Sequence, residues 1–185
     1  MGKSLTVAFR SLRLQIREFV MSDSSALFAL YRLPETSQFE SWEPFQIELQ
    51  TRDLLKDWIK AQSDDERIEY TLAICLEGHF IGLCCVDLGV AVETDNLRMG
   101  CLSYRFLPEY WGQGYASEAL TALIKFAFDE MSLHRVHAGC VVGNIASRRV
   151  MDKAGMRYEG TTRKSFPIGG QWHDYLLYGL LAEEC

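Results

Sequence analysis

Leu107-Pro108-Glu109-Tyr110-Trp111-Gly112-Gln113-Gly114-Tyr115-Ala116-Ser117-Glu118-Ala119-Leu120 is the stretch whose reading decides the fold. An apolar run, Leu102 to Leu107, enters it. An amphipathic pattern leaves it, with Ala116, Leu120, Leu123, Ile124, Ala127 and Met131 on one side. A strand therefore turns into a helix here, and Gly112 and Gly114 sit at the junction. Glycine opens the left-handed backbone and lets the main chain approach a ligand closely. The helix start adds unpaired N–H groups and a partial positive charge, so a phosphate is the guest it favours.

Outward from this loop the pattern alternates between the two periods. Leu12 to Phe19 alternates as a half-buried strand should, and Ser22-Asp23 offers a cap to a helix carrying Ala26, Leu27, Leu30 and Tyr31 that Pro34 closes. A second helix is expected near Thr51 to Ala61. Strands near Glu69 to Cys75 and Phe80 to Asp87 flank the turn Glu77-Gly78, and Glu93 to Asn96 is a further turn before the strand Arg98 to Leu107. Beyond the loop helix come a strand, Val136 to Val142, and a short helix, Ile145 to Ala154, ended by Gly155. Two last strands, Arg157 to Ser165 and Trp172 to Leu181, flank Pro167 to Gly170. This order predicts an α/β (α+β) mixed sheet with helices on both faces.

Bulk properties bound the function. The 185 residues make one domain of ordinary size, able to bury roughly 70% of its unfolded surface. Hydrophobic residues at 48% and charged residues at 24% describe a soluble globular chain. No apolar run approaches the ~18 residues of a spanning helix, and no signal-peptide layout opens the chain. Cys75, Cys84, Cys85, Cys101, Cys140 and Cys185 lack metal spacing, which predicts reduced thiols in a cytoplasmic protein. His134 and His137 point to opposite faces of a strand, so no metal set is expected. Met1 to Thr6 fits a myristoylation pattern, a string short enough to arise by chance, and no membrane partner is expected. A net charge of −6, from 19 basic and 25 acidic residues, argues against nucleic acid and suits a cationic acceptor such as an amine.

The residues after the second glycine discriminate among phosphate loops. A Walker loop would continue Gly-Lys-Ser/Thr, and a dinucleotide loop needs a third glycine where Ser117 stands. Trp111 to Ala116 instead resembles the Gln/Arg-x-x-Gly-x-Gly/Ala loop of the GNAT superfamily of N-acetyltransferases, with tryptophan in first position. His134-Arg135-Val136, Asn144-x-x-Ser147-x-Arg149-Val150-x-x-Lys153-x-Gly155, Glu159-Gly160 and Trp172-x-Asp174-x-x-x-Tyr178 follow in order. Together they are similar to the branch that acetylates the N-termini of ribosomal proteins, the Rim type. The resemblance runs from about Leu12 to the C-terminus. It implies residues 1–11 as an N-terminal extension and 12–185 as a single N-acetyltransferase domain. That domain would have a mostly antiparallel seven-stranded sheet and about four helices.

What the resemblance implies for the site can be carried residue by residue. Acetyl-coenzyme A would lie with its pyrophosphate on the main chain of Trp111, Gly112, Gln113, Gly114, Tyr115 and Ala116. Its thioester carbonyl would sit on a main-chain N–H near Phe106 or Leu107, its pantetheine arm on Asn144, and a terminal phosphate near Lys153. On the residues alone, Asn144 is a helix N-cap and Ser147 a first-turn serine bonding a backbone N–H. Many superfamily members carry a tyrosine where Met151 stands, and the Rim branch has serine matching Ser147 as the donor to the departing thiolate. Relatives often place a glutamate where Cys101 stands, so Glu40, Glu159 or Asp174 would act through water. Glu40, Trp42, Tyr104 and Trp172 are candidate walls of an acceptor pocket. Cys140, one strand end from Asn144, is close enough for its thiol to lie near the cofactor sulfur, though burial explains it as well.

The expected reaction is direct attack of a neutral amine on the thioester in a ternary complex. The acceptor would be a protein or peptide α-amine, such as a ribosomal-protein N-terminus, taken up by a monomer or homodimer. A chain without a strong base suits an α-amine: with pKa near 8 it is about 10% neutral at pH 7, against about 0.04% for lysine. Two alternatives stay open at this point. One is a small amine as acceptor, such as a polyamine or an aminoglycoside; the other is a non-catalytic acyl-coenzyme A sensor.

Overall fold

The computed structural model describes residues 7–89 and 98–185. Its strands are β1 (Ala8–Arg10), β2 (Leu14–Glu18), β3 (Glu69–Leu76), β4 (His79–Asp87), β5 (Met99–Phe106), β6 (Arg135–Val141), β7 (Arg157–Ile168) and β8 (Gln171–Leu181). Its helices are α1 (Ser24–Tyr31), α2 (Pro34–Ser37), α3 (Glu48–Ala61), α4 (Tyr115–Asp129) and α5 (Ile145–Lys153). The strands form one sheet in the order β1-β2-β3-β4-β5-β6-β8-β7.

Period-two alternation decides which strand side chains meet which helices. In β3, Leu72 and Ile74 join the core under α4, whereas Ala73 and Cys75 join Leu27, Leu30 and Leu55 of α1 and α3 on the other face. In β4, Cys84 and Val86 go to the first core and Leu83 to the second. Helix α4 buries Ala119, Leu120, Leu123, Ile124, Phe126 and Ala127; of the stripe expected, Leu120, Leu123, Ile124 and Ala127 are buried, whereas Ala116 is half-buried and Met131 lies past the helix end. Each large apolar side chain so buried contributes about 1.5–3 kcal/mol.

Every neighbouring pair is antiparallel except β5 and β6. Parallel strands need a long crossover, and α4 supplies it. The parallel pairing covers only Met99 to Cys101 against Arg135 to His137. Beyond it β5 stays with β4 as far as Phe106, while β6 follows β8 to Val141. The sheet opens there into a V.

The mixed architecture is the one expected, with differences in count and boundaries. The sheet has eight strands rather than seven, because Ala8–Arg10 pairs with Gln15–Arg17. Val7 is buried as well, so the end of the stretch read as an extension is part of the sheet edge. The fifth helix is the single turn Pro34–Ser37: α1 stops at Tyr31, and Pro34 opens the next turn, a position that its fixed φ and missing N–H suit. Asp23 does not cap α1 with its side chain; its carboxylate takes Arg17 at 2.8 Å and the Val20 N–H at 2.9 Å. Helix α3 starts at Glu48, three residues before the Thr51 expected. The turn at Glu93 to Asn96 and the string Met1 to Thr6 lie outside the described residues.

Candidate active site

The mouth of the V holds a cleft of about 320 Å³. Cys101 to Phe106 line one wall and Ala138 to Cys140 the other. Trp111, Gly112 and Ala116 stand at one end, with Asn144, Ala146, Ser147 and Val150 beside them. Phe39, Glu40, Phe166 and Tyr175 stand among the lining residues contributed by other segments.

The loop end is built from main chain. Gly112 and Gly114 have φ of +73° and +83°, the left-handed region that favours glycine. Gly114 is the N-cap of α4 and provides no side-chain cap. Among the described residues, no protein group accepts the N–H groups from Gly112 to Ser117. These open donors at a helix start fit a pyrophosphate. Trp111 donates its indole N–H to the Phe106 carbonyl at 2.8 Å, and Gln113 its amide to the Glu109 carbonyl at 2.7 Å, so both side chains shape the loop. Arg13 was missed by sequence reasoning. It bonds both carboxylate oxygens of Glu118, by its main-chain N–H and its Nε, and its guanidinium lies 4.3 Å from the Tyr115 ring centroid. No local pattern signals a contact across about a hundred residues.

Sheet register corrects one expectation. The Leu107 N–H is spent on the Ile81 carbonyl at 3.0 Å, so it is not free for a thioester carbonyl. Phe106 pairs with Gly82 in the neighbouring, non-hydrogen-bonded register. Its N–H and carbonyl therefore face away from β4 into the V. Of the two candidates, only Phe106 presents its main-chain N–H to the cleft.

Helix α5 brings two candidates together. Asn144 is its N-cap, and its side-chain oxygen accepts the Ser147 N–H at 3.0 Å. The Ser147 hydroxyl is not used on a backbone N–H; it lies 2.8 Å from the Tyr104 hydroxyl. Tyr104 is thus a partner of Ser147 rather than a bare pocket wall. Burial pushes its phenol pKa upward, and the Ser147 hydrogen bond opposes that only in part. Met151 is fully buried and lies outside the cleft lining. Cys140 lines the cleft, and burial raises its pKa, keeping the thiol protonated.

The acceptor candidates divide. Glu40 lines the cleft and pairs with Arg105 at 3.1 Å. Trp42 does not line it; it packs under it against Tyr31 and Phe45, with the Arg105 guanidinium 5.6 Å from its ring. Trp172 is 58% exposed at the tip of the β7–β8 hairpin, away from the cleft. Lys153 is exposed at the last turn of α5, also outside the lining. Glu159 is held by Arg135, Asp174 accepts the Lys164 N–H at 3.0 Å, and neither is among the cleft-lining residues. Tyr175 was missed. It stacks on Phe166 at 5.0 Å, occupies the space left by Gly139, and its hydroxyl is pushed up to about 12 by burial. Cys101 lines the cleft with a thiol that burial also pushes up.

The sequence of residues 13–157 matches the family model described as an acetyltransferase (GNAT) domain. The chain belongs to the GNAT acetyltransferase family. It is 33% identical to YnaD of Bacillus subtilis (strain 168), an uncharacterised N-acetyltransferase, over 93% of this chain and 95% of that one. Its fold is similar to that of RimL, a ribosomal L7/L12 alpha-N-protein acetyltransferase solved with coenzyme A, at TM-score 0.82 and 22% identity, covering 95% and 98% of the two chains. It is also similar to spermidine N-acetyltransferase from Vibrio cholerae, solved with coenzyme A and spermine, at TM-score 0.79 and 18% identity over 93% and 97%. The GNAT chain described here is an acetyl-coenzyme A-dependent N-acetyltransferase, which leaves the non-catalytic sensor without support. Among the described residues no cluster of His, Cys, Asp or Glu could hold a metal ion, and no helix is long and apolar enough to cross a membrane.

Proposed function

We propose that the acceptor is the α-amine of a protein or peptide N-terminus, of the ribosomal-protein type. The observation that carries this reading is that, among the described residues, no unpaired carboxylate stands where β5 and β6 part; the lining's other acid, Glu35, is exposed on α2. Cys101 stands there, Glu40 is held by Arg105, and Glu159 and Asp174 are engaged elsewhere. An acceptor must then bring its own neutral fraction, which an α-amine does far better than a lysine. A polyamine would call for a concentrated acidic well, whereas the cleft lining has two acids, Glu35 and Glu40, and Glu40 is paired with the half-buried cation Arg105.

In this reading Gly112 to Ser117 hold the pyrophosphate, Asn144 the pantetheine arm, and the Phe106 N–H the thioester carbonyl. The amine lone pair forms the N–C bond, and the C–S bond breaks with its pair passing to sulfur. Ser147 donates a hydrogen bond to that sulfur. The proton that ends on the thiol is the one the amine nitrogen loses. Six thiols without disulfide partners among the described residues suit a reducing compartment, the cytoplasm.

The test is acetylation of peptides with Ala, Ser and Met N-termini, beside blocked peptides bearing one lysine and beside spermidine. Free N-termini should win by up to roughly 250-fold at pH 7, the ratio of neutral fractions. kcat/KM should rise with an apparent pKa of about 8. Efficient lysine acetylation with a kinetic pKa near 6 would reveal an enzyme base. Preference for spermidine would assign the small-amine acceptor instead.

A further inference from the structure

Tyr104 and Ser147 form a pair of hydroxyls with two protons and more than one way to share them. The Tyr104 oxygen lies 2.8 Å from the Ser147 hydroxyl and 3.1 Å from the Ser147 carbonyl. A phenol has one proton to give. If it goes to the carbonyl, the short contact between the hydroxyls must be made by the serine's own proton, which then points at Tyr104 and away from the cleft. If the phenol proton goes to the serine oxygen, the serine proton is released toward the cleft. Rotation of one phenol O–H separates the two arrangements.

We infer that Tyr104 is a positioning residue for acetyl transfer: by donating to Ser147 it turns the serine proton onto the departing sulfur. This rests on the reading of Ser147 as the donor to that sulfur. No bond to hydrogen is broken at Tyr104 or Ser147, because the proton that ends on sulfur is the amine's. The developing negative charge selects the second arrangement, since a hydrogen bond to a charged acceptor is stronger than one to a neutral carbonyl. The surroundings keep the pair in its neutral form. Cys140 from β6 and Tyr175 from β8 are the titratable groups that face it, and burial pushes both upward, as it does Tyr104 itself. The backbone fixes the geometry: β5 carries Tyr104, and the Asn144 cap on the Ser147 N–H fixes the first turn of α5.

The test is a double-mutant cycle of Tyr104→Phe and Ser147→Ala, which keeps the Tyr104 ring in place. Each single variant should lower kcat about tenfold, in the lower part of the range for proton assistance, and the double variant should be no slower than Ser147→Ala alone. A second readout does not use turnover. The thiol pKa of bound coenzyme A is titrated by thiolate ultraviolet absorbance, with the desulfo-coenzyme A complex as blank. Both single variants should raise it by about one unit, one charge-assisted hydrogen bond's worth, and the double variant no further. Additive losses, or a thiol pKa moved by Ser147→Ala and unmoved by Tyr104→Phe, would overturn the role of Tyr104 and leave Ser147 as donor. Weakened coenzyme A binding in Tyr104→Phe would overturn it too, making the tyrosine a scaffold. Ser147→Ala without effect on either readout would instead bring down the donor reading itself. Ser147→Thr, which keeps a hydroxyl, should restore most of the activity only while Tyr104 is present.

Discussion

The loop end of the cleft is built from main chain, and the rest of its lining from side chains brought together from distant segments. At the first, the donors are the N–H groups of a few consecutive residues after Trp111, and two left-handed glycines set their direction. At the second, Glu40, Arg105, Phe166 and Tyr175 come from a loop and three different strands. A backbone site needs only the right local conformation, so it survives a change of side chain such as tryptophan in first position. A side-chain site depends on which neighbours each residue meets, and it can diverge while the fold stays constant. Solved structures named for unlike acceptors share this architecture.

The largest effect expected from this contrast is at Gly114. Gly114→Val should raise the Kd for coenzyme A at least tenfold, by calorimetry, with a near-native fold. A Cβ there has room, meeting only Arg13 at 3.6 Å, so the cost comes from forcing a β-branched residue to φ +83°, about 1–2 kcal/mol, and from obstructing main-chain approach to the ligand. Unchanged affinity in the folded variant would remove the loop from the cofactor site.

Arg105→Leu comes next and should act on the other end alone. It leaves the Glu40 carboxylate, 30% exposed in its side chain, without its partner. The acceptor-peptide KM should rise by about fivefold while the acetyl-coenzyme A Kd stays within twofold, because a partly screened pair is worth on the order of 1 kcal/mol. Equal changes at both ends would mean that the two walls are not independent.

Gly139→Ala sharpens the comparison from the strand side. A Cβ there would overlap the Tyr175 ring and come within 2.6 Å of the Leu176 carbonyl, which is backbone and cannot move alone. The overpacking should cost about 1–3 kcal/mol and lower Tm by roughly 2–10 °C. The acceptor KM should move more than cofactor affinity, since the ring lines the cleft. A Tm equal to wild type would show that β6 and β8 adjust freely.

The smallest effect is expected at Trp172, read from sequence as a pocket wall. Trp172→Ala should change kcat/KM for peptides by less than about twofold, as a substitution on an exposed side chain outside the cleft. A tenfold loss would show that the hairpin tip closes over the acceptor.

Periodicity and the glycine pair together were enough to read the mixed sheet, the loop helix and the left-handed turn before it, because each is a local property. The alternation of β2 and the apolar stripe of α4 are set by a few residues' spacing, and the positive φ of Gly112 and Gly114 by the absence of a Cβ. Asn144 was legible as a cap for the same reason. β1 was not legible: three residues with little pattern become a strand only because β2 offers them an edge.

The composition, the family and most of the order of elements were determined by the sequence alone. Only the tertiary structure decided that Leu107 spends its N–H on Ile81 while Phe106 keeps its own for the cleft. It also decided that Tyr104 meets Ser147, that Arg105 restrains Glu40, and that Trp42, Trp172 and Lys153 stay out of the lining. The physical reason is range. Backbone dihedrals and helix caps are fixed within about four residues along the chain, whereas hydrogen bonds and ion pairs between side chains depend on strand register and on the splay of β5 from β6, which the whole sheet sets.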